Sequence, residues 1–266
     1  MEELSVSKNI HLMPMGYEHE RVVKPAQDYD ADYVILIHYD PGPDTDEKNV
    51  IEPEYHDQVR EDLEQAGIQV EEVRCDIFDL YSSLGTIARL AAEFRDDNVY
   101  VNLASGSKVT AIGGMIACMA TGAIPYYVKA DSYAGNPEQK PVAWDATDVV
   151  QLPKYPIEPP EKQHIACLDY ISKHQPVTKQ NLIDFGETES LPFYAHYDTD
   201  NVNNPARGYY RRLDSQIINP LTAKEYIEVV ERSKYRYISL TESGENTLEA
   251  FQYLWRDESP LLSEQL

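Results

Sequence analysis

The first part of the chain alternates between short apolar runs and longer stretches in which apolar residues recur every three or four positions. The short runs are typical of buried strands, and the longer stretches are typical of helices that pack one face against a sheet. Strands are predicted at Asn9–Met13, Asp32–His38, Ile68–Arg74, Asn98–Leu103, Ile124–Val128 and Val149–Leu152. Helices are predicted at Glu18–Gln27, Val50–Ala66, Leu80–Phe94 and Ser107–Thr121. This alternation predicts an α/β fold with a mostly parallel sheet and helices on both faces.

Two later stretches break the alternation. Ala130–Thr147 is polar, and its apolar residues recur with neither the spacing of a strand nor that of a helix, so we expect it to be irregular. Leu152–Glu161 reads LPKYPIEPPE, and its four prolines cannot join a helix interior. We therefore expect a semi-rigid linker between two domains.

A different pattern follows the linker. Helices are predicted at Lys162–His174, at Lys179–Phe185 with Thr178 as N-cap, and at Pro205–Ile217. Two β-rich segments, Tyr226–Val230 and Tyr235–Leu240, then form a hairpin, and Thr241 begins a final helix that runs to about Trp255. This order predicts a winged helix-turn-helix domain. The expected division is residues 1–152, a linker at 153–161, the winged helix domain at 162–258 and a tail at 259–266.

Composition narrows the class of protein. The 266 residues include 46 acidic and 23 basic side chains, and the formal charge of −23 is spread along the chain. Such a surface repels nucleic acid by default and is typical of a cytosolic protein from a high-salt organism. The absence of a signal pattern and of a long apolar run indicates a cytoplasmic protein without a membrane partner. Three cysteines without a Cys-x-x-Cys argue against disulfides and a structural zinc, and we expect no metal or other cofactor.

Part of the second domain has a local excess of basic residues, unlike the chain as a whole. Residues 201–240 hold seven basic and four acidic side chains. In winged helix domains the third helix enters the major groove and the wing contacts the backbone, where Arg and Lys bind phosphate. The residues predicted to bind DNA are Arg207, Tyr209, Tyr210, Arg211 and Arg212 in the third helix and Arg232, Lys234 and Arg236 in the wing. The alternative is a winged helix used only for protein contacts or dimerisation.

Two loops at strand ends carry the candidate chemistry of the first domain. They are Met13–Arg21 and Asn102–Lys108, which contains Ser-Gly-Ser-Lys. Glycines allow a close backbone approach, and the N–H groups at the start of the next helix, with Lys108, favour an anion. Neither an NTPase P-loop nor a dinucleotide-binding glycine motif is present. A solvated helix-start lysine remains an equal alternative for Lys108, and His11 and His38 are better explained as core residues.

The segments IHLMPMGYEHERVV, DYVILIH and YVNLASGSKVTAIGGMIACMATGAIPYYVK resemble CRISPR-associated Rossmann-fold (CARF) proteins that carry a C-terminal winged helix, in particular a haloarchaeal family of regulators. The resemblance implies a homodimer whose strand-end loops line one pocket for cyclic oligoadenylate. The residues that it places in the pocket are Met15, Gly16, Tyr17, Arg21, Ser105, Gly106, Ser107 and Lys108. The second loop departs from the Gly-Gly-Thr pattern that is usual in better-known members, so the size of the ligand stays open.

Three functions are compatible with these features. The first is a transcription regulator that senses a cyclic oligoadenylate or a related nucleotide. The second is a ring nuclease without a metal, in which Lys108 and Ser107 supply charge at the scissile phosphate and His19 is the only obvious base in either loop. The third is a constitutive DNA-binding dimer without a ligand.

Overall fold

The computed structural model describes residues 6–40, 53–135, 142–198, 205–232 and 235–255. The chain divides into two compact units, and the division falls between Glu158 and Pro159. Across the described residues, no helix is both long and apolar enough to cross a membrane.

The first unit is a six-stranded sheet with helices on both faces. Its strands are β1 (Asn9–Pro14), β2 (Tyr33–Tyr39), β3 (Gln69–Cys75), β4 (Asn98–Asn102), β5 (Ile124–Tyr133) and β6 (Ala143–Gln151). Its helices are α1 (His19–Asp28), α2 (Pro53–Gln65), α3 (Leu80–Glu93) and α4 (Lys108–Thr121). The order across the sheet is β3-β2-β1-β4-β5-β6, and only β6 is antiparallel to its neighbour. The predicted α/β class with a mostly parallel sheet is confirmed.

The expected irregular stretch at Ala130–Thr147 is wrong for residues 130–133 and 143–147, which lie in strands, and residues 136–141 lie outside the part of the chain that the structure describes. Strand β5 continues to Tyr133, and β6 begins at Ala143 directly opposite it. The side chains from Asp131 to Tyr133 are exposed, so this end of the hairpin shows no alternation of buried and exposed positions. In this part of β6 Ala143 and Ala146 are buried, but two alanines three positions apart give no alternating hydrophobic period. The short predicted strand at Val149–Leu152 is therefore only the end of β6.

Small residues in α4 let it lie close to two neighbours. A Cβ on Gly113 would lie 3.2 Å from the Leu80 carbonyl oxygen of α3. A Cβ on Gly114 would lie 2.8 Å from Leu103 Cδ2, at the end of β4. The two glycines therefore serve different contacts, Gly113 with a partner helix and Gly114 with the sheet. The opposite face of the sheet is covered by α1 and α2, whose Val22 packs into a core shared with the strands.

The second unit is a winged helix domain. Its helices are α5 (Lys162–His174), α6 (Lys179–Thr188), α7 (Pro192–Ala195), α8 (Pro205–Leu213), α9 (Asn219–Ala223) and α10 (Glu242–Phe251). The wing is the antiparallel pair β7 (Ile227–Arg232) and β8 (Tyr235–Leu240). Helix α8 continues through a π-helical turn at Asp214–Ile218 into α9, so the third helix extends past its predicted end. The predicted cap of α6 is present, because Thr178 accepts a hydrogen bond from the Asn181 N–H.

The three cysteines, Cys75, Cys118 and Cys167, are buried thiols without disulfide bonds. Burial raises the pKa of the Cys75 thiol to about 11 and that of Cys118 to about 12. Both thiols are therefore protonated at neutral pH and act as small apolar groups in the core.

Candidate functional site

The loops that follow β1 and β4 lie side by side. From β1 the sheet continues through β2 to β3, and from β4 it continues in the opposite direction through β5. The β1–β4 boundary is therefore the point at which the strand order reverses. Ligands of open α/β sheets bind in the crevice outside the carboxyl ends of the strands at such a point. Both predicted loops, Met13–Arg21 and Asn102–Lys108, open onto this crevice.

Two glycines hold the loops in close contact. The Gly16 N–H donates to Ser105 Oγ over 3.2 Å. Gly106 has φ +81°, and a Cβ there would lie 2.8 Å from Pro14 Cβ. Gly106 thus needs both a left-handed backbone and the space that a side chain would fill. We conclude that the Ser-Gly-Ser turn is shaped by its contact with the end of β1.

Ser107 and Lys108 form the start of α4. Ser107 is the N-cap: its Oγ accepts from the Thr110 N–H over 2.9 Å, and its hydroxyl donates to the Ile77 carbonyl oxygen. The hydroxyl is therefore committed to local structure. Lys108, the first residue of the helix, is exposed at the positive end of the helix dipole. The turn thus places an exposed cation, Lys108, at the N-terminus of α4.

Glu18 is the site residue that the sequence analysis missed. Its Oε2 accepts from the Ser105 hydroxyl over 2.9 Å, and its carboxylate also accepts from the backbone N–H of Gly106. Burial raises the pKa of the Glu18 carboxyl above its ordinary value, although these hydrogen bonds and the charge of Arg21 act in the other direction. The available signal was an acidic residue beside a glycine at the start of α1, which is a common and unspecific pattern.

Met15 and Arg21 lie beneath the first loop. Met15 is 1% exposed and belongs to the core between the sheet and α1. Arg21 is 5% exposed, and its Nε donates to the Val128 carbonyl oxygen over 2.9 Å. Its guanidinium also lies 5.0 Å from the ring centre of Tyr127. Among the described residues, Arg21 Nη2 has no hydrogen-bond partner. The buried guanidinium beneath the loop can therefore donate at least one further hydrogen bond. Tyr17, at the tip of the loop, is half-buried.

The histidines near the crevice lie in pairs or in the core. His19, the candidate base, lies with Nε2 2.8 Å from Asp62 Oδ2. His38 and His56 lie with their Nδ1 atoms 2.8 Å apart, and burial, together with the charge of His56, lowers the pKa of His38 to about 4. Burial alone lowers the pKa of His11 to about 4, so this strand residue is neutral at pH 7. Within the ranges that the structure describes, no group of three or more possible ligands could hold a metal ion.

Helix α8 presents two different faces. Arg207, Tyr210 and Arg211 are exposed and follow the spacing of one helical face. Tyr209 instead stacks on Tyr194 with ring centres 4.2 Å apart, in the packing between α7 and α8. The predicted DNA-binding residues of this helix thus divide into an outward group and an inward group.

Arg212 belongs to the inward group. Its Nε donates to the Phe193 carbonyl oxygen over 2.7 Å, and one Nη donates to the Pro192 carbonyl oxygen over 3.3 Å. These bonds satisfy backbone acceptors of α7. The contacts of Arg212 in this structure are therefore those of a residue that joins two helices.

The wing carries one described basic side chain from the predicted set. Arg236 is 61% exposed and forms an ion pair with Glu231, with 2.6 Å between Nη2 and Oε1. Exposed pairs of this kind contribute little stability, so the guanidinium is available to exchange its partner. Lys234 lies outside the described residues, as does the side chain of Arg232.

Two family models match the chain. One, described as HFX_2341_N:-like, N-terminal, covers residues 9–133, and the other, the DUF6293 C-terminal winged helix domain, covers residues 163–252. The chain therefore combines an N-terminal domain of the first model's kind with a C-terminal winged helix domain. The first match covers the loops after β1 and β4, and the second covers α8 and the wing. No curated protein sequence matches the chain.

Several solved structures are similar to this chain. Can2 from Sulfobacillus thermosulfidooxidans, in complex with cyclic tetra-adenylate, is 11% identical with a TM-score of 0.39, over 92% of this chain and 64% of its own. Csm6 from Enterococcus italicus, bound to cyclic hexa-2′-fluoro-hexa-dAMP, is 12% identical with a TM-score of 0.36, and the match covers 48% of this chain and 35% of Csm6. VC1899 from Vibrio cholerae is 13% identical with a TM-score of 0.38, and the match covers 92% of this chain and 65% of VC1899. The chain thus spans less than two thirds of each, and its family assignment depends on the family models.

Proposed function

We propose that the chain is a DNA-binding regulator that senses a nucleotide at the loops after β1 and β4. The observation that carries the proposal is the pairing, in one chain, of an anion-binding turn at the sheet's switch point with a winged helix domain whose third helix exposes arginines. The first feature suits a phosphate-bearing ligand, and the second suits the phosphate backbone of DNA.

The proposed ligand is a cyclic oligoadenylate. Lys108 and the N–H groups at the start of α4 would bind a phosphate, and Gly16 and Gly106 would let the ligand approach the backbone. Tyr17 would lie at the rim of the crevice, Ser105 would act from its buried position between the two loops, and Ser107 would act by capping α4. The buried Met15 and Arg21 would act from beneath by fixing the first loop. The complexes of Can2 and Csm6 with cyclic oligonucleotides support this choice of ligand class.

DNA would be bound by the outward face of α8. We propose that Arg207, Tyr210 and Arg211 contact the major groove and that Arg236, with Arg232 and Lys234, contacts the backbone from the wing. Because the whole chain carries a charge of −23, these contacts must overcome a general repulsion of DNA. Affinity should therefore fall steeply as salt rises.

We propose that the active form is a homodimer in which the strand-end loops of two subunits face one ligand. A two-fold dimer would place two winged helices on successive major grooves of the same DNA face. Its operator would then hold two inverted half-sites about one helical turn, or ~34 Å, apart.

Calorimetry with cyclic tetra-adenylate and fluorescence anisotropy with DNA from upstream of the chain's own gene test the proposal. We expect binding of both, with a linear fall of log affinity against log salt for DNA. The nucleotide should be recovered intact after long incubation. Recovery of linear cleavage products would favour the ring nuclease, and DNA binding without nucleotide binding would favour the constitutive dimer. No preference for any DNA would contradict the proposal.

A further inference from the structure

The anion-binding turn already holds an anion that belongs to the chain. The Glu18 carboxylate accepts from the Ser105 hydroxyl over 2.9 Å and from the Gly106 N–H. A Cβ built on Gly16 would lie 2.3 Å from Glu18 Oε2, so the carboxylate rests against the backbone of the first loop. One side chain thus occupies donors on the second loop while it packs on the first.

This arrangement differs from an ordinary surface carboxylate. The Glu18 side chain is half-buried, and burial raises its pKa because it disfavours the charged form. The hydrogen-bond donors and the charge of Arg21 act in the opposite direction and partly offset this effect. The Ser105 hydroxyl and the Gly106 N–H belong to the same turn as Ser107 and Lys108, so a ligand phosphate bound at this turn would compete for them. A phosphate and the Glu18 carboxylate cannot share them, because two like charges at one set of donors repel.

We propose that Glu18 is an internal anion that occupies the phosphate-binding turn of the unliganded protein and must leave it when the ligand binds. Glu18 then sets the affinity for the ligand by competition, and it restricts the site to ligands whose phosphates bind the turn more strongly than a tethered carboxylate. The inference rests on the proposed function and adds a residue that regulates the same site.

The competing role for Glu18 is that of a ligand contact. A carboxylate at this position could accept a hydrogen bond from a ribose hydroxyl or from an adenine amino group. The two roles predict opposite effects of removing the charge, since a competitor weakens binding and a contact strengthens it. Glu18→Gln separates them, because it keeps an acceptor oxygen of the same shape and removes the charge.

Glu20→Gln is the matched control. Glu20 lies in the first turn of the same helix, and its Oε2 accepts from the Ala146 N–H over 3.2 Å, away from the turn. Both variants change the charge of the chain by the same amount. A difference in ligand affinity between the two variants is therefore due to the position of Glu18 and not to the change in net charge.

The first measurement is amide hydrogen exchange of the full chain without ligand. The Gly106 N–H should exchange faster in Glu18→Ala than in the wild type and should be unchanged in Glu20→Ala. Equal exchange of Gly106 in all three proteins would show that the carboxylate does not occupy the turn, and it would overturn the inference whether or not any ligand binds.

The second measurement is the affinity for cyclic tetra-adenylate by calorimetry, with folding checked by circular dichroism. Glu18→Gln should bind about tenfold more tightly than the wild type, and Glu20→Gln should match the wild type. Weaker binding by Glu18→Gln would make Glu18 a ligand contact and overturn the inference while the proposed function stands. Absence of binding by the wild type and by both variants would instead contradict the proposed function, and the inference would fall with it.

Discussion

Gly106 is the residue on which the geometry of the second loop depends most. Gly106 and Gly122 both have positive φ, +81° and +90°, but a Cβ would meet Pro14 Cβ at 2.8 Å only at Gly106. Gly122→Ala should lower the free energy of unfolding by ~1 kcal/mol, the cost of the left-handed backbone alone. Gly106→Ala should cost ~1–3 kcal/mol more, because the loops must move apart.

Urea denaturation of both alanine variants measures this difference, and calorimetry shows whether the nucleotide still binds. Equal losses of stability at the two glycines would show that the contact between Gly106 and the end of β1 is not tight.

His11 makes the first unit sensitive to acid. Its pKa is about 4 in the folded chain and 6.5 as an ordinary histidine, because burial disfavours the charged form. Between these values the unfolded chain binds more protons, so the free energy of unfolding should fall as the pH drops from 6.5 to 4, by up to ~1.4 kcal/mol for each pH unit. His11→Phe should reduce this slope and leave the part that belongs to His38 and His56, whose pKa values are also lowered by burial.

The slope is best followed through Trp144 fluorescence during urea denaturation in a Trp255→Phe background. The chain has two tryptophans, and Trp144 lies in β6 of the first unit. A slope that is equal in His11→Phe and the wild type would contradict the assigned burial of His11.

At the scale of elements, the two faces of α8 should separate DNA binding from stability. Arg211 is exposed, whereas Arg212 donates to the Phe193 carbonyl oxygen. Arg211→Ala should weaken DNA binding and reduce the slope of log affinity against log salt by ~1, with little change in stability. Arg212→Ala should lower the free energy of unfolding by ~1–3 kcal/mol, because it leaves backbone acceptors of α7 unpaired.

Anisotropy titrations over a range of salt, together with urea denaturation, compare these adjacent arginines on one helix. A large loss of DNA affinity in Arg212→Ala with unchanged stability would reverse the assignment of the two faces.

Helix α4 connects the proposed ligand site to the linker within the first unit. Ser107 caps its first turn beside the crevice, and beyond its last turn Lys154 Nζ bonds the Ala123 carbonyl oxygen over 2.9 Å. The Ile157 N–H bonds the Met119 carbonyl oxygen over 3.1 Å. The first half of the proline-rich linker is thus hydrogen-bonded to the C-terminal end of α4 and the residues just after it, and α4 begins at the proposed ligand site.

If α4 carries the response, Lys154→Ala should reduce the effect of nucleotide on DNA affinity and leave each separate affinity unchanged. Tyr155→Ala, at the neighbouring position with 74% exposure, is the control. Anisotropy with and without cyclic tetra-adenylate measures the coupling, and an unaltered coupling in Lys154→Ala would exclude this contact from the response.

Elements whose apolar period is strong could be predicted from the sequence, and those without one could not. The first four strands lie close to their predicted positions because β1, β2 and β4 read as apolar runs and β3 alternates buried and exposed residues. The β5 and β6 strands were predicted only in part, and the extension of β5 to Tyr133 was missed because its last side chains are exposed. Loop positions such as Gly106 and Lys108 followed from a local motif, but Glu18 acquires its role through Ser105, which is 87 residues away. Likewise, local sequence cannot show that Arg212 bonds α7 while Arg211 faces outward.

On the scale of the whole molecule, we propose that one chain couples two binding events. Ligand at the first unit should change the DNA affinity of the second by ~5–150-fold, the usual range of a coupling free energy. Lys108→Ala should remove that change and keep the fold, because the side chain is exposed. Lys8→Ala, an exposed lysine before β1 at the opposite end of the sheet, should behave as the wild type.

The most direct test is the affinity of the full chain for its upstream DNA, measured by anisotropy at constant salt with and without saturating cyclic tetra-adenylate. The account predicts a change in affinity in the wild type and in Lys8→Ala, and none in Lys108→Ala. The same DNA affinity with and without a nucleotide that calorimetry shows to be bound would contradict the claim that the chain is a sensor.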